Sequence, residues 1–295
     1  MADYGHELVL GTFVTPHSSR PERPVELALL TERAGLDLVT FMDHPYNAGF
    51  LDTWTLLSYV AARTERIHLS GYVLNLPSRP PAVLARAAAS LDLLSSGRLE
   101  LAIGPGDYYV ADAITAMGGP RRTRRESLEA LSEAIDVIRG TWDVTAPGPV
   151  VVEGKHYRIT GGMRGPTPAH DVSIWIPAAG PRGRRLAARK ADGWIAGGLW
   201  MRDVDAEMGE ANRIIDEAAT AAGREPRAIR RIFDFGGAMT SGSTEEWVAR
   251  LLHLALGHGV SVFVLVGDDP ASIERWGGEV GPALRAAVAS SRPAS

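Results

Sequence analysis

The chain has 295 residues, 45% of them apolar and 22% charged, with a formal net charge of −4. That length and balance fit one large globular domain or two medium ones. No apolar run is long enough to span a membrane, and the start, MADYGHELVLGTF, lacks the basic-then-apolar order of a secretory leader. There is no cysteine, which excludes disulfides, thiolate zinc sites, iron–sulfur ligation and a cysteine nucleophile. The slight acidity argues against a nucleic-acid surface. What remains is a cytoplasmic enzyme or binding protein, with neither nucleic acid nor membrane as a partner.

In chain order, short apolar runs predict strands at 8–14, 38–42, 67–74, 99–103, 172–176, 193–196, 232–236 and 261–266. Their apolarity is continuous rather than alternating, as in strands buried on both faces of a parallel sheet. Helical patterns separate them. Leu84, Ala87, Leu91 and Leu94 recur at helical spacing before Gly97, and Leu128, Leu131, Ile135 and Ile138 do so before Gly140. Thr123 with Glu126 and Ser243 with Glu246 read as capping boxes, while Pro24 and Pro81 suit first helical turns. Strand starts roughly 30 residues apart, repeated through the chain, predict a (β/α)8 TIM barrel filling 1–295 as a single α/β domain. A doubly wound open sheet is the alternative. Residues 144–171, with a hairpin at 150–159, read as an insertion after the fourth helix, and the tail 290–295 as disordered.

In such a barrel the chemistry gathers at the carboxyl ends of the strands. Those ends read Thr15-Pro16-His17, Asp43-His44, Asn75, Gly104-Pro105-Gly106-Asp107, Ala178 to Arg182, Gly197-Gly198, Asp234 and Gly267-Asp268-Asp269. There is no HxH pair for a metal-dependent hydrolase, no strand-end lysine for a Schiff base and no GxSxG. His6, His17, His68, His156, His170, His253 and His258 show no metal-ligand spacing, so no metal is expected. A mouth this poor in acids and bases suits a bound organic cofactor that carries the chemistry. Gly180, Pro181, Arg182 and Gly183, where a strand gives way to a helix, suit a phosphate at a helix N-terminus; the later Arg184, Arg185 and Arg189 read as a solvated face.

The stretches FMDHP (41–45), IHLSGYVLNLPSRPPAVLARAAASLDLLSSGRLELAIGPG (67–106), IRGTW (138–142), VEGKHYRI (152–159) and GPRGRRLAARKADGW (180–194) resemble the bacterial luciferase-like superfamily of flavin- and deazaflavin-dependent oxidoreductases. The resemblance implies a barrel with a flavin-type ring in its mouth. It also implies a bulge in the third strand with a cis bond at Tyr72–Val73, pressing on the ring so that hydride moves on one face. A length near 300 and the DHP at 43–45 resemble the branch that uses coenzyme F420. Asp107, standing where FMN-dependent relatives place a phosphate-binding arginine, argues the same way. The expected activity is hydride transfer between F420 and a small organic substrate, reducing a C=C, C=N or C=O bond. An FMN-dependent monooxygenase of the same superfamily is the alternative.

On this reading His44 is the candidate proton carrier and Asp43 its catalytic partner. Tyr72, Val73, Asn75, Gly104, Gly106 and Asp107 face the cofactor ring, and Gly180, Pro181, Arg182 and Gly183 hold its phosphate. Tyr46, Trp54, Trp200 and Asp234, with Phe50 and Tyr109, line the substrate side, although core packing is an equal reading for the aromatics. Asp92, Arg98, Asp192 and Trp194 read as structural. The run Arg121–Arg125 reads as a solvated helix start, with contact to an acidic cofactor tail as the alternative. Relatives imply a homodimer.

Overall fold

Strands with apolar side chains on both faces need partners on both faces, and a closed barrel wrapped in helices supplies them. The computed structural model describes residues 3–106 and 108–292. The strands are β1 (Val9–Val14), β2 (Leu38–Phe41), β3 (His68–Gly71), β4 (Leu74–Asn75), β5 (Leu101–Gly104), β6 (Val150–Glu153), β7 (Arg158–Gly162), β8 (Ile174–Pro177), β9 (Gly193–Ile195), β10 (Arg230–Phe235) and β11 (Val260–Val266). The helices are α1 (Glu22–Arg33), α2 (Thr53–Ala61), α3 (Pro81–Leu94), α4 (Ala111–Ala116), α5 (Arg124–Trp142), α6 (Pro181–Lys190), α7 (Val204–Ala221), α8 (Thr244–His258), α9 (Pro270–Arg275) and α10 (Gly281–Ser291).

Nine of these strands form one parallel sheet in the order β3-β2-β1-β11-β10-β9-β8-β5-β4. A parallel bridge between Leu69 and Leu99 joins β3 towards β5 and nearly closes the ring. The predicted third strand is split. β3 pairs with β2 and β4 pairs with β5, and the break between them is the Tyr72–Val73 bond, which is cis. The barrel therefore has eight staves, one of them in two pieces.

Alternation along each strand sorts the core into two layers. Leu38, Ala102, Trp175, Ile195, Ile232, Val262 and Val264 fill the barrel interior. Their neighbours in sequence, among them Val39, Ile103, Ile174, Trp194, Phe233 and Phe263, pack outward against the helices. Glycine sets how close two segments approach. A Cβ on Gly104 would lie 2.5 Å from a methyl of Val73, so the split stave and β5 can meet only with glycine there.

The helix signals act as predicted at both capping boxes, Thr123–Glu126 on α5 and Ser243–Glu246 on α8. The face of α3 is rotated from the predicted stripe. Leu84, Ala85, Ala88, Ala89 and Leu91 are buried, whereas Leu94 is 85% exposed. Its apolar signal was ambiguous because alanine fits either face. The short α4 was not foreseen.

The predicted insertion holds the hairpin β6–β7, docked on α5. The Glu133 carboxylate accepts the backbone N–H groups of Lys155, His156 and Tyr157 at 2.8–3.0 Å. Part of the tail expected to be disordered is instead ordered: α10 runs to Ser291, and Arg292 pairs with Asp3 at 2.9 Å. Positions 293–295 lie outside the described residues.

The SLDLLSSGR segment is structural, as expected. Arg98 donates to the carbonyls of Ser95, Ile67 and Ala61. The buried Asp92 carboxylate accepts from the backbone of Leu99, Ala169 and His170 and from His170 Nδ1 at 2.9 Å. At the amino end of the barrel, Glu100 lies 3.8 Å from His170 and 3.6 Å from His68. The carboxylates of Glu100 and Asp92 hold the His170 imidazolium, raising its pKa from 6.5 to about 9. The charged form is thus favoured in the folded chain. Its contribution is full below pH 6.5 and is lost as pH rises through about 9. We expect His170→Ala to cost about 1–2 kcal/mol at pH 6, after allowance for its partial exposure, with the cost shrinking above pH 9. Urea unfolding of both proteins across that range measures it; a penalty that stays constant with pH contradicts the pairing.

Candidate active site

The carboxyl ends of the strands bring most of the predicted site residues to one mouth. Asp43 follows β2 and is buried. Its Oδ2 accepts from the Asn75 N–H at 2.6 Å and from Arg79 Nη1 at 2.6 Å, and its Oδ1 accepts from Arg79 Nη2 at 3.1 Å. The fork-to-fork pair fixes β2 against the segment after β4. Arg79 also reaches Asp52 at 3.2 Å, the residue that caps α2. Arg79 was not singled out from sequence. Its signal lay inside the NLPSRPP stretch, but its partner is 36 positions away.

Asn75 is the most informative side chain in the mouth. Its backbone is committed to Asp43, yet its side-chain Oδ1 is buried without a hydrogen-bond partner. A buried carbonyl oxygen left in this state is costly unless something supplies a donor. It sits two residues past the cis Tyr72–Val73 bond. Tyr72 packs against Phe13, ring centres 5.5 Å apart, and its hydroxyl lies 3.4 Å from Asp234 Oδ1. That same Asp234 oxygen accepts the Gly198 N–H at 2.9 Å. Burial pushes the Asp234 carboxyl above its ordinary range and keeps the Tyr72 phenol neutral.

His44 hydrogen-bonds through Nδ1 to the Tyr46 hydroxyl, and its ring meets those of Tyr46 and Phe50 edge-on. Across the mouth, α6 opens at Gly180 with no side-chain cap, and a Cβ there would meet nothing within 4 Å. The first-turn N–H groups are therefore open to an anion. Trp194 Nε1 donates to the Ala178 carbonyl at 2.9 Å and holds this corner in place. Gly183 is required for packing as well, because a Cβ would lie 2.9 Å from the Ala178 Cβ. Arg182 is exposed at the helix start. Arg184, expected on the solvated face, is instead buried, with its guanidinium 5.7 Å from the centre of the Trp194 ring.

Gly104 and Gly106 occupy the end of β5 and the turn after it, and Gly106 has φ +81° with Pro77 pressed against it. Asp107 lies outside the described residues. Among the aromatics, Trp200 stands at the rim and is 88% exposed. Trp54 packs against the core between strands and helices, as the competing reading of that residue had it. Tyr109 is exposed, beneath the guanidinium of Arg124.

A cleft of about 540 Å³ opens beside the mouth, between the segment 76–80, the α4–α5 connection and Tyr157 of the hairpin. Arg79 and Arg122 both line it. Of the rest of the basic run, Arg121 pairs with Asp112 and Arg125 with Glu129 at the surface, and Arg124 lies over Tyr109. Arg139 and Asp192, from two of the family-like motifs, meet at 2.6 Å, and Asp192 also accepts the Ile174 N–H. Arg139 and Asp192 therefore brace the barrel, while the start of the second motif, at Gly180, reaches the mouth.

Comparison with known proteins agrees with this architecture. The model of a family described as luciferase-like monooxygenase matches residues 8–277. A protein of Nocardia farcinica named F420-dependent glucose-6-phosphate dehydrogenase is 32% identical over 237 residues, covering 77% of this chain and 68% of its own. One of the same name from Mycolicibacterium smegmatis is 29% identical over 283 residues, covering 91% and 80%. Among solved structures, an F420-dependent secondary alcohol dehydrogenase in complex with an F420–acetone adduct superposes with a TM-score of 0.81 at 18% identity, covering 95% and 99%; this likeness concerns the fold. The chain belongs to the luciferase-like monooxygenase family.

Proposed function

We propose that this protein is an F420-dependent oxidoreductase that passes a hydride between the deazaflavin and a small organic molecule, a C=C, C=N or C=O bond being the group reduced. The observation that carries the reading is the buried, unpartnered Oδ1 of Asn75 beside the cis Tyr72–Val73 bond, with an uncapped helix N-terminus at Gly180 across the mouth. The F420 dependence in the names of its relatives supports the choice of cofactor. Bound there, F420 supplies the hydride chemistry that no side chain of the chain can perform.

The residues present divide the remaining work. Asn75 Oδ1 offers an acceptor to an N–H at the ring edge, and the glycines at 104 and 106 keep the approach to the mouth free of side chains. The amides following Gly180, with Arg182, hold the phosphate, and Gly183 lets α6 come close enough to present them. Asp43 has its oxygens engaged by Arg79 and Asn75, so we assign it to positioning rather than proton transfer. His44 is the proton carrier. The hydrogen bond between its Nδ1 and the Tyr46 hydroxyl orients the ring for that role. We assign the substrate side to Asp234, a buried carboxyl, and to Trp200, an exposed ring at the rim.

Anaerobic titration of the purified chain with F420 and, separately, FMN tests the cofactor. We expect F420 to saturate at one per chain and FMN to bind far more weakly; saturation by FMN alone would turn the reading towards a flavin monooxygenase. Asn75→Ala should weaken F420 by about fivefold, the loss of one hydrogen bond. His44→Ala should lower kcat by about 100-fold while F420 affinity stays the same, and an unchanged kcat removes the proton-carrying role. Arg79→Ala leaves the buried Asp43 unpaired. It should cost about 3–5 kcal/mol of unfolding free energy by denaturant titration; a cost within error of zero would contradict the positioning assignment.

A further inference from the structure

Two histidines whose spacing predicted nothing are brought together with a carboxylate in the outer helical layer. Asp205 lies in the first turn of α7, and His253 and His258 lie in the last turns of α8. Nε2 of His253 is 2.6 Å and Nε2 of His258 is 2.7 Å from the same oxygen, Asp205 Oδ1. The two imidazoles meet edge to face, ring centres 5.5 Å apart. One donor atom from each residue falls within 4.8 Å of the others.

We propose that Asp205, His253 and His258 form a binding site for a late first-row divalent ion, zinc being the expected occupant. Two imidazole nitrogens and one carboxylate oxygen make a donor set that suits zinc, nickel or copper, and that magnesium and calcium do not favour. Three protein donors leave a fourth tetrahedral position to water. Donors around a tetrahedral zinc stand about 3.3 Å apart, so the two contacts to Asp205 must open by about 0.6–0.7 Å. The side chains that have to move can do so, since Asp205 and His253 are exposed.

The backbone beneath them is fixed. The His258 carbonyl accepts from Asn212 Nδ2 at 2.9 Å, and Asn212 Oδ1 accepts in turn from the buried Arg231 at 2.9 Å. Gly259 closes α8 in the left-handed conformation, φ 69°. The side chain of Asp203 caps the start of α7 through the Ala206 N–H at 3.0 Å. Two anchored helix ends thus present three ligands to one point. An ion there joins α7 to α8 and stabilises the folded chain by mass action. None of the three residues belongs to the mouth, so the site is a brace rather than part of the reaction.

The test uses the full chain without an affinity tag, stripped by a chelator. Calorimetric titration with zinc chloride should give one saturable site of micromolar strength, and the thermal midpoint should rise by several degrees at saturation. Magnesium chloride should do neither. Asp205→Ala and His253→Ala, both at exposed positions, should each weaken zinc at least tenfold and abolish the shift in midpoint. His156→Ala, a histidine paired elsewhere with Glu129, should leave binding unchanged. Absence of saturable binding, or wild-type affinity in both the Asp205 and His253 variants, overturns the proposal.

Discussion

The mouth of this barrel is organised by one buried ion pair. The Asp43 carboxylate lies at the end of β2 and takes three hydrogen bonds, two from Arg79 and one from the Asn75 backbone. One donor, Asn75, ends β4 and the other, Arg79, follows it, so together they hold the short β4 in position after the Tyr72–Val73 bond. A buried carboxylate without such partners carries a desolvation penalty of several kcal/mol. With them it becomes a fixed reference point. Asn75 is aligned through its backbone, and its side-chain oxygen remains to be satisfied by something else.

The rest of the mouth follows from strand alternation. Inward positions near the carboxyl end are small or polar: Thr40, Gly104, Pro177 and Asp234. Lower in the barrel, Leu38, Trp175, Ile232 and Val264 close the interior. A ligand can therefore rest on the upper layer but cannot pass through. Burial raises the Asp234 carboxyl above its ordinary range, and the Asp43 charge is engaged by Arg79. In such surroundings a cofactor must bring its own reactivity. On the proposed reading, the anionic end of that cofactor would be met by main-chain N–H groups near Gly180 rather than by a cluster of cations.

Much of the fold was legible because strands buried on two faces read as unbroken apolar runs, and capping residues such as Thr123 and Ser243 act locally. The split of the third stave was not legible from periodicity. HLSGYVLN reads as one strand, and only the family resemblance pointed to a break at Tyr72–Val73. Arg184 was misread because an arginine run suggests solvent, whereas its place beneath Trp194 depends on how α6 docks. Arg79 and the Asp205–His253–His258 group were missed for a related reason. Their partners lie tens of residues away, and no local spacing encodes a contact made only after the chain has closed.

The account rests on the fit between this mouth and a planar cofactor. The most direct measurement is a crystal structure of the chain with F420 bound. The account predicts the deazaflavin ring against Tyr72 and Val73, an N–H at its edge within hydrogen-bond distance of Asn75 Oδ1, and the phosphate on the amides after Gly180. A ring lodged in the neighbouring cleft between the α4–α5 connection and Tyr157, with Asn75 Oδ1 still unpartnered, would contradict it.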